Sequence, residues 1–282
     1  MKALRGLGAC FRAELRDLAR SSLIWLGLLL TAVGTYFIGK TTPHRFTSWS
    51  AFAEAAKQGG AIAAFFLVFA GAITLAGDRT RGTVRWILPR PVGRAGFVLG
   101  KACALAVLAT LFLILCLGSA ALAGSDLGFG DVPMAGGGGE ADGGWKFTEE
   151  IEQDTNFTAA TLRARAWWAS LILLPALLTA AGLGMLISSW TRSAAGAVFS
   201  ALFLLMMLHY LPNVLGLADD VAAASPLRAT EGFWVQLRDF GRGLSSAQWP
   251  PYGVPELGGA LVFVLGLPLA AALVFGRAEL TD

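Results

Sequence analysis

Long apolar segments separated by shorter polar ones set the pattern of this 282-residue chain. Six of them are close to the roughly 20 residues that a helix needs to cross about 30 Å of hydrocarbon. They cover residues 21–39, 59–77, 102–123, 166–190, 193–211 and 257–276. The pattern predicts an all-α integral membrane protein, with one domain of six transmembrane helices over residues 21–282.

The first 20 residues have an amphipathic pattern instead. Apolar side chains recur on one helical stripe, and the basic residues, with Glu14 and Asp17, are assigned to the other faces. The stripe consists of Leu4, Leu7, Phe11, Leu15 and Leu18. This predicts an interfacial helix, with its stripe in the acyl boundary and its cations toward lipid headgroups. A signal peptide is disfavoured, because the charged region is too long and no cleavage site follows.

Composition agrees with a membrane protein and narrows the chemistry. Apolar residues make up 55% of the chain and charged ones 15%, against roughly 25% charged in soluble domains. The predicted spans hold essentially no ionisable residue, which argues against a proton-coupled antiporter or a charged ion channel. His44 and His209 match no metal-ligand spacing, and no basic nucleic-acid-binding domain is present. We therefore expect no catalytic, metal or cofactor site in this chain and no nucleic-acid partner.

The distribution of basic residues predicts the orientation in the membrane. With the N-terminus inside, 13 of the 22 Lys and Arg residues lie in cytoplasmic segments, as the positive-inside rule requires. Six spans then put both termini in the cytoplasm and leave long external loops at 124–165 and 212–256. In the second loop, apolar residues at near-helical spacing predict a helix on the membrane surface, with aromatic rings at headgroup level. They are Phe233, Trp234, Leu237, Phe240 and Leu244.

One predicted cytoplasmic segment, residues 77–101, carries six basic residues and a single acid, Asp78. Residues 83–88 allow one or two helical turns before Pro89 and Pro91 stop them. A short cationic helix with a stiff exit suits docking to a soluble partner. A positive-inside anchor without further function fits the same residues, and the residues alone leave both interpretations open.

Residues 34–41 match the phosphate-loop pattern G-x-x-x-x-G-K-[ST]. A working phosphate loop follows a strand and opens a helix whose N-terminal amides bind phosphate. Here the match ends an apolar helix and faces away from cytoplasmic ATP. We reject it, and since no other segment fits, we expect no ATPase in this chain.

Residues 78–101 resemble the loop between the second and third helices of ABC-2-type transporter permeases. That family has an acidic residue, a Gly-Thr pair, a hydrophobic segment, a proline with a small residue and Arg, and a Gly-Lys pair entering the next helix. This chain supplies Asp78, Gly82-Thr83, residues 86–88, residues 91–94 and Gly100-Lys101. Asp78 stands where the family commonly has Glu. Residues 275–280 also look like the family's C-terminal ending.

The resemblance implies the permease subunit of a bacterial ABC transporter in the inner membrane, exporting or translocating a substrate. A second copy of the permease would pair with two separate ATP-binding subunits, which bind ATP and Mg²⁺. The basic segment would form a cytoplasmic coupling helix between helices 2 and 3, and residues 1–20 a connecting helix. The implied ATPase-coupling residues are Asp78, Arg79, Arg81, Gly82, Thr83, Arg85, Trp86, Leu88, Pro89, Arg90, Pro91 and Arg94.

Two other functions are weighed beside this one. A mechanotransmission subunit of the same architecture would act on a periplasmic partner through loops 124–165 and 212–256, and the acidic stretch at 140–154 motivates it. A secondary transporter without an ATPase is disfavoured by the uncharged spans. The apolar spans favour an amphipathic or lipidic substrate.

Overall fold

The computed structural model of the chain is built from α-helices. It describes residues 6–41, 47–82, 94–132, 157–214, 226–243 and 254–278. The helices are α1 (Leu7–Arg20), α2 (Ser22–Thr41), α3 (Ser48–Thr80), α4 (Arg94–Gly124), α5 (Ala159–Trp190), α6 (Ala194–Val214), α7 (Pro226–Gly241) and α8 (Val254–Ala278). A 3-10 turn over Ser125–Leu127 follows α4, and one isolated antiparallel bridge joins Val132 to Phe157.

The six apolar segments of the sequence fall on α2, α3, α4, α5, α6 and α8. Four of the helices in the described residues are long and apolar enough to cross a membrane, by length and composition. These are Ser22–Thr41, Ser48–Thr80, Arg94–Leu127 and Ala159–Trp190. Shorter apolar segments, Ala194–Met207 and Val262–Phe275, lie in α6 and α8. The described fold is therefore all-helical and consistent with an integral membrane protein, while the count of six spans stays a prediction.

Helix α3 is the centre of the packing. It begins at a capping box, in which the Thr47 and Ser50 side chains each accept a hydrogen bond from the backbone amide of the other residue, which satisfies two amides at the helix start. Most of α3 is buried, and it packs against α2, α4, α5, α6 and α7. Large apolar side chains on the surrounding helices instead point outward, with Trp25 62% and Phe199 75% exposed. Such a surface is favourable in lipid and costly in water.

The Ser48 end of α3 is covered by α7 and residues 125–132, which we call the cap. Ser48 Oγ donates to the carbonyl of Gly128 at 2.6 Å, and Trp49 Nε1 donates to that of Gly130 at 2.9 Å. The Phe129 ring packs edge-on against Trp49, with centroids 4.8 Å apart. The cap is thus attached to the first turn of α3 by hydrogen bonds and by ring packing.

Helix α7 contains four of the five residues predicted to lie at the membrane surface, and their environment differs from that prediction. Trp234 and Leu237 are each 1% exposed, and Phe240 is buried as well. The helix packs against α3 and α5, and the Trp234 ring lies 5.8 Å from that of Phe52. The prediction of aromatic rings at headgroup level is therefore wrong for Trp234 and Phe240, because protein rather than lipid covers this face. Leu244 lies outside the described residues.

Candidate functional site

The last turn of α3 holds the first two residues of the predicted coupling segment, Asp78 and Arg79. The helix ends at Thr80, and Gly82 follows with a φ of +70°. Residues with a side chain rarely adopt this left-handed conformation, whereas glycine adopts it at no steric cost, so Gly82 allows the chain to leave the helix here. Arg81 is exposed, and Arg94 is the first residue of α4. The remaining predicted coupling residues lie outside the described residues: Thr83, Arg85, Trp86, Leu88, Pro89, Arg90 and Pro91.

Lys101, on the second turn of α4, joins two carboxylates that come from different helices. Its Nζ contacts Glu14 Oε2 of α1, lies 2.9 Å from Asp78 Oδ2 of α3, and reaches the carbonyl of Thr74 at 3.4 Å. The Lys101 and Glu14 side chains are only 6% and 9% exposed. Burial raises the pKa of the Glu14 carboxyl, and the attraction of Lys101 opposes that effect. We call Glu14, Asp78 and Lys101 the ion cluster.

Helix α1 reaches the ion cluster because Gly100 leaves room for its backbone. A Cβ on Gly100 would lie 2.8 Å from the Leu7 carbonyl oxygen and 2.9 Å from the Cys10 Cβ, which is closer than real Cβ atoms pack. The docked face of α1 includes Leu18, which is buried, and Phe11, which packs on the core. Leu7 and Leu15 are half-buried, and Leu4 lies outside the described residues.

The position of Glu14 corrects the sequence analysis, which assigned it to the polar faces of α1. It is three residues after Phe11 and four before Leu18, so it lies on the same helical face as both. In the structure this face packs against α4, and Glu14 is 7% exposed. A carboxylate on the apolar stripe of an amphipathic helix was the signal that could have identified the ion cluster, together with the lysine at the start of the third apolar segment.

Arg79 binds the opposite side of the bundle. Its Nη1 donates to the carbonyls of Ser188, Ser189 and Thr191, at 3.4, 2.9 and 3.1 Å. These carbonyls belong to the C-terminal end of α5, where the helix offers acceptors without partners of their own and a negative dipole end. The Arg79 guanidinium also lies 4.9 Å from the ring centroid of Phe275 on α8. Arg79 therefore caps α5 and contacts α8.

Two consecutive residues thus connect α3 to four other helices. Successive side chains on a helix project about 100° apart, so Asp78 reaches α4 and α1 through Lys101 while Arg79 reaches α5 and α8. The two sets of contacts meet at an aromatic pair: Phe97 lies 5.7 Å from Phe275, and Lys101 Nζ lies 5.1 Å from the Phe97 centroid. Among the described residues no group of three or more His, Cys, Asp or Glu side chains could hold a metal ion. The arrangement fixes the relative positions of five helices at the base of residues 83–93.

Comparison with known proteins assigns the chain to a family. A family model described as "ABC-2 family transporter protein" matches residues 9–240, which includes most of α1, the ion cluster and most of the cap. A search of curated proteins found no significant match. Because the family model covers most of the chain, this protein belongs to the ABC-2 family of transporter proteins and is a membrane permease component of an ABC transporter.

Proposed function

We propose that this permease is driven by a separate ATP-binding cassette subunit, which docks on residues 83–93 and powers export or translocation of a substrate. The observation that carries the proposal is the ion cluster at the base of that segment. Lys101 binds residues of α1 and α3 while it belongs to α4 itself. A displacement applied to residues 83–93 would therefore move three helices together, as a coupling element requires.

The proposal divides the predicted coupling residues into two groups. Arg81, Gly82 and Arg94, with the residues between them, are the proposed surface for the ATPase. Asp78 and Arg79 are engaged within the chain and are the proposed base of the docking element. By analogy with the family, two permeases and two ATPases form the assembly, and the ATPase binds ATP and Mg²⁺ and performs the catalysis.

The proposed topology has six spans, with α1 and the ion cluster at the cytoplasmic face of a bacterial inner membrane. Trp25 and Trp190, exposed by 62% and 66%, flank the ion-cluster end, and Trp167, exposed by 65%, lies toward the cap. Tryptophan favours the two membrane interfaces. The 23 residues from Trp167 to Trp190 rise about 34 Å along a helix, close to the thickness of the hydrocarbon layer. This spacing supports one interface at each end of α5, and the basic segment supports the cytoplasmic assignment.

Helix α1 keeps its proposed role as the connecting helix at the cytoplasmic interface. Arg12, Arg16 and Arg20 are exposed and recur every four residues, so they form one basic stripe that suits anionic headgroups. The parts of Leu7, Phe11 and Leu15 that α4 leaves uncovered are the proposed contact with the acyl boundary. Leu18, which is buried in the protein, contributes to docking instead.

Affinity purification of the tagged full chain from native membranes tests the proposal. An ATPase with Walker and signature motifs should copurify, and replacing Gly82, Thr83 and Arg90 by Ala should reduce the transport driven by its ATP hydrolysis while membrane insertion is unchanged. Lys40→Ala, at the cap end, is the control. External labelling of a cysteine introduced at residue 85, or ATP hydrolysis by the chain alone, would refute the proposal.

A mechanotransmission role is the second proposal, and one observation favours it. The cap is bonded to the first turn of α3, and α3 continues without a break from Ser48 to Thr80, which corresponds to about 50 Å of helix. A movement at the ion cluster would then reach the cap and a periplasmic partner bound there or to residues 133–156. Deletion of residues 133–156 that leaves complementation of a null strain intact would count against a partner at that segment.

A further inference from the structure

Ser188, near the C-terminal end of α5, makes an unusual contact with α3. Its Oγ accepts hydrogen bonds from two consecutive backbone amides in the interior of that helix, Leu75 N at 3.0 Å and Ala76 N at 2.7 Å. Interior amides of an α-helix ordinarily donate to the carbonyl four residues earlier. A side chain that enters this ladder is one of the recognised causes of helix bending. Ser188 therefore connects two helices through the backbone of one of them.

Neighbouring hydroxyl groups behave differently. Thr74, Thr80, Thr179 and Thr191 each donate to the carbonyl four residues earlier in their own helix, which is the common arrangement for hydroxyl residues in membrane helices. Ser189, beside Ser188 and equally buried, donates to Leu186 of its own helix. Residue type and burial alone do not explain the contact of Ser188, which depends on how closely α5 approaches α3.

Two glycines produce this approach. A Cβ on Gly184 would overlap the Val68 carbonyl oxygen, and a Cβ on Gly71 would overlap that of Ala181. Each glycine thus allows the backbone of the other helix to reach it, as small residues do between membrane helices. The two helices are in backbone contact over residues 68–72 of α3, and Ser188 extends the contact one turn toward Asp78.

Arg79 completes the joint from the other side. It donates to the Ser188 carbonyl at 3.4 Å and to the next carbonyl at 2.9 Å, so Ser188 is bound by α3 through both its side chain and its backbone. From Val68 to Arg79, α3 is therefore attached to α5 at three successive levels. We call these three levels the α3–α5 joint.

We propose that Ser188 is a positioning residue for coupling, which makes α3 and α5 move as one unit when residues 83–93 are displaced. Its part in transport rests on the proposed function, whereas the α3–α5 joint itself does not. Lys101 carries the displacement to α1 and α4, and Ser188 with Arg79 carries it to α5. Ser188 therefore transmits the displacement to the second half of the bundle together with Arg79.

The first experiment measures amide hydrogen exchange of the full chain in lipid nanodiscs, with Ser188→Ala as the test and Ser189→Ala as the matched control. Loss of one hydrogen-bond acceptor is worth on the order of a fivefold change in an opening equilibrium. Exchange of peptides containing Leu75 and Ala76 should therefore be about fivefold faster in S188A and unchanged in S189A. Equal exchange in the two variants would overturn the contact between the Ser188 hydroxyl and α3, and with it the proposed role of Ser188.

The second experiment adds the copurified ATPase and uses ATP with Mg²⁺ as the probe. In the wild-type complex and in S189A, exchange of residues 68–79 and of 181–191 should change together on addition of ATP. In S188A the change should stay in residues 68–79 and be lost from residues 181–191. If exchange in the two regions still changes together in S188A, the coupling role of Ser188 is overturned. If no ATPase binds the wild-type chain, the proposed function fails, and the first experiment still decides the contact between Ser188 and α3.

A matched pair of variants covers the case in which S188A folds poorly. Ser188→Thr keeps the hydroxyl oxygen that accepts from Leu75 N and Ala76 N, so exchange of peptides containing these residues should stay close to the wild-type rate. Ser188→Val has nearly the shape of threonine but no acceptor, so the same peptides should exchange about fivefold faster in S188V than in S188T. Equal exchange in S188T and S188V would overturn the proposal.

Discussion

Lys101 Nζ lies 2.9 Å from Asp78 Oδ2, and this ion pair closes the base of the segment between them. Asp78 is on the last turn of α3, and Lys101 is on the second turn of α4. Glu14 of α1 forms a second ion pair with the same Lys101 ammonium group. The two described ends of the basic segment are thus held together at one point, and this point is attached to α1 through Glu14.

Removing the central cation should destabilise the protein strongly. Lys101→Met leaves Glu14 and Asp78 as neighbouring carboxylates without their shared partner, and breaking a buried ion pair in this way costs about 3–5 kcal/mol. Thermal unfolding of the purified chain in detergent, followed by intrinsic fluorescence, should show a melting temperature lower by several degrees.

Lys40→Met is the matched control for this experiment. Lys40 pairs with Asp126 at 3.0 Å, but the two side chains are 26% and 40% exposed, and such pairs contribute about 0–1 kcal/mol. Adding Glu14→Gln and Asp78→Asn to Lys101→Met should recover part of the loss, because the unpaired charges are then removed. Equal melting temperatures for the two lysine variants would contradict the importance of the ion cluster.

The pH dependence of the melting temperature should show the titration of the buried Glu14 carboxyl. Burial raises its pKa in the folded protein despite the attraction of Lys101, so the folded state holds this proton more tightly than the unfolded state does. The stability that the protonated Glu14 carboxyl contributes to the folded state is complete below the ordinary glutamate pKa. This stability is lost as the pH rises through the raised pKa of the folded protein. The melting temperature of the wild type relative to Glu14→Gln should therefore fall as the pH rises above the ordinary glutamate pKa.

Asp17→Asn is the control for Glu14, because Asp17 lies on the same helix and is exposed. The comparison separates the loss of a buried carboxylate from the general effect of one fewer negative charge on α1. A wild-type advantage over Glu14→Gln that grows with pH would show that the attraction of Lys101 exceeds the cost of burial, contrary to the prediction.

Hydrophobic patterning alone located the helices, because membrane helices need long apolar segments whatever their neighbours are. The order of α2 to α6 and α8 follows from it, and so does the amphipathic α1, although α3, α4 and α5 begin 11, 8 and 7 residues before the predicted segments. The ion cluster could not be predicted from this pattern, because Glu14 and Lys101 are separated by two complete apolar segments and only packing brings them together. The burial of one face of α7 could not be predicted from the pattern either, since the same aromatic spacing suits both a lipid interface and a protein core.

The docking of α1 on α4 should depend on Gly100. Gly100→Ala adds a Cβ within 2.8 Å of the Leu7 carbonyl oxygen, and overpacking of this kind costs about 1–3 kcal/mol. The substitution should loosen α1 and increase the rate at which a maleimide labels Cys10, measured in a Cys103→Ser background because Cys103 is exposed. Gly118→Ala is the control on the same helix, since no atom lies within 4 Å of the added Cβ. Equal Cys10 labelling in the two variants would contradict the docked position of α1.

The exit of the chain from α3 should depend on Gly82 because of its backbone conformation. Gly82→Ala has open space for its Cβ, yet an alanine at a φ of +70° costs about 1–2 kcal/mol. Gly77→Ala, also in open space but inside α3, should stabilise the helix by about 1 kcal/mol. Melting temperatures should therefore shift in opposite directions, and binding of the copurified ATPase should weaken only in Gly82→Ala, because residues 83–93 then leave the helix at a different angle. Similar shifts in both variants would mean that φ at residue 82 does not direct this segment.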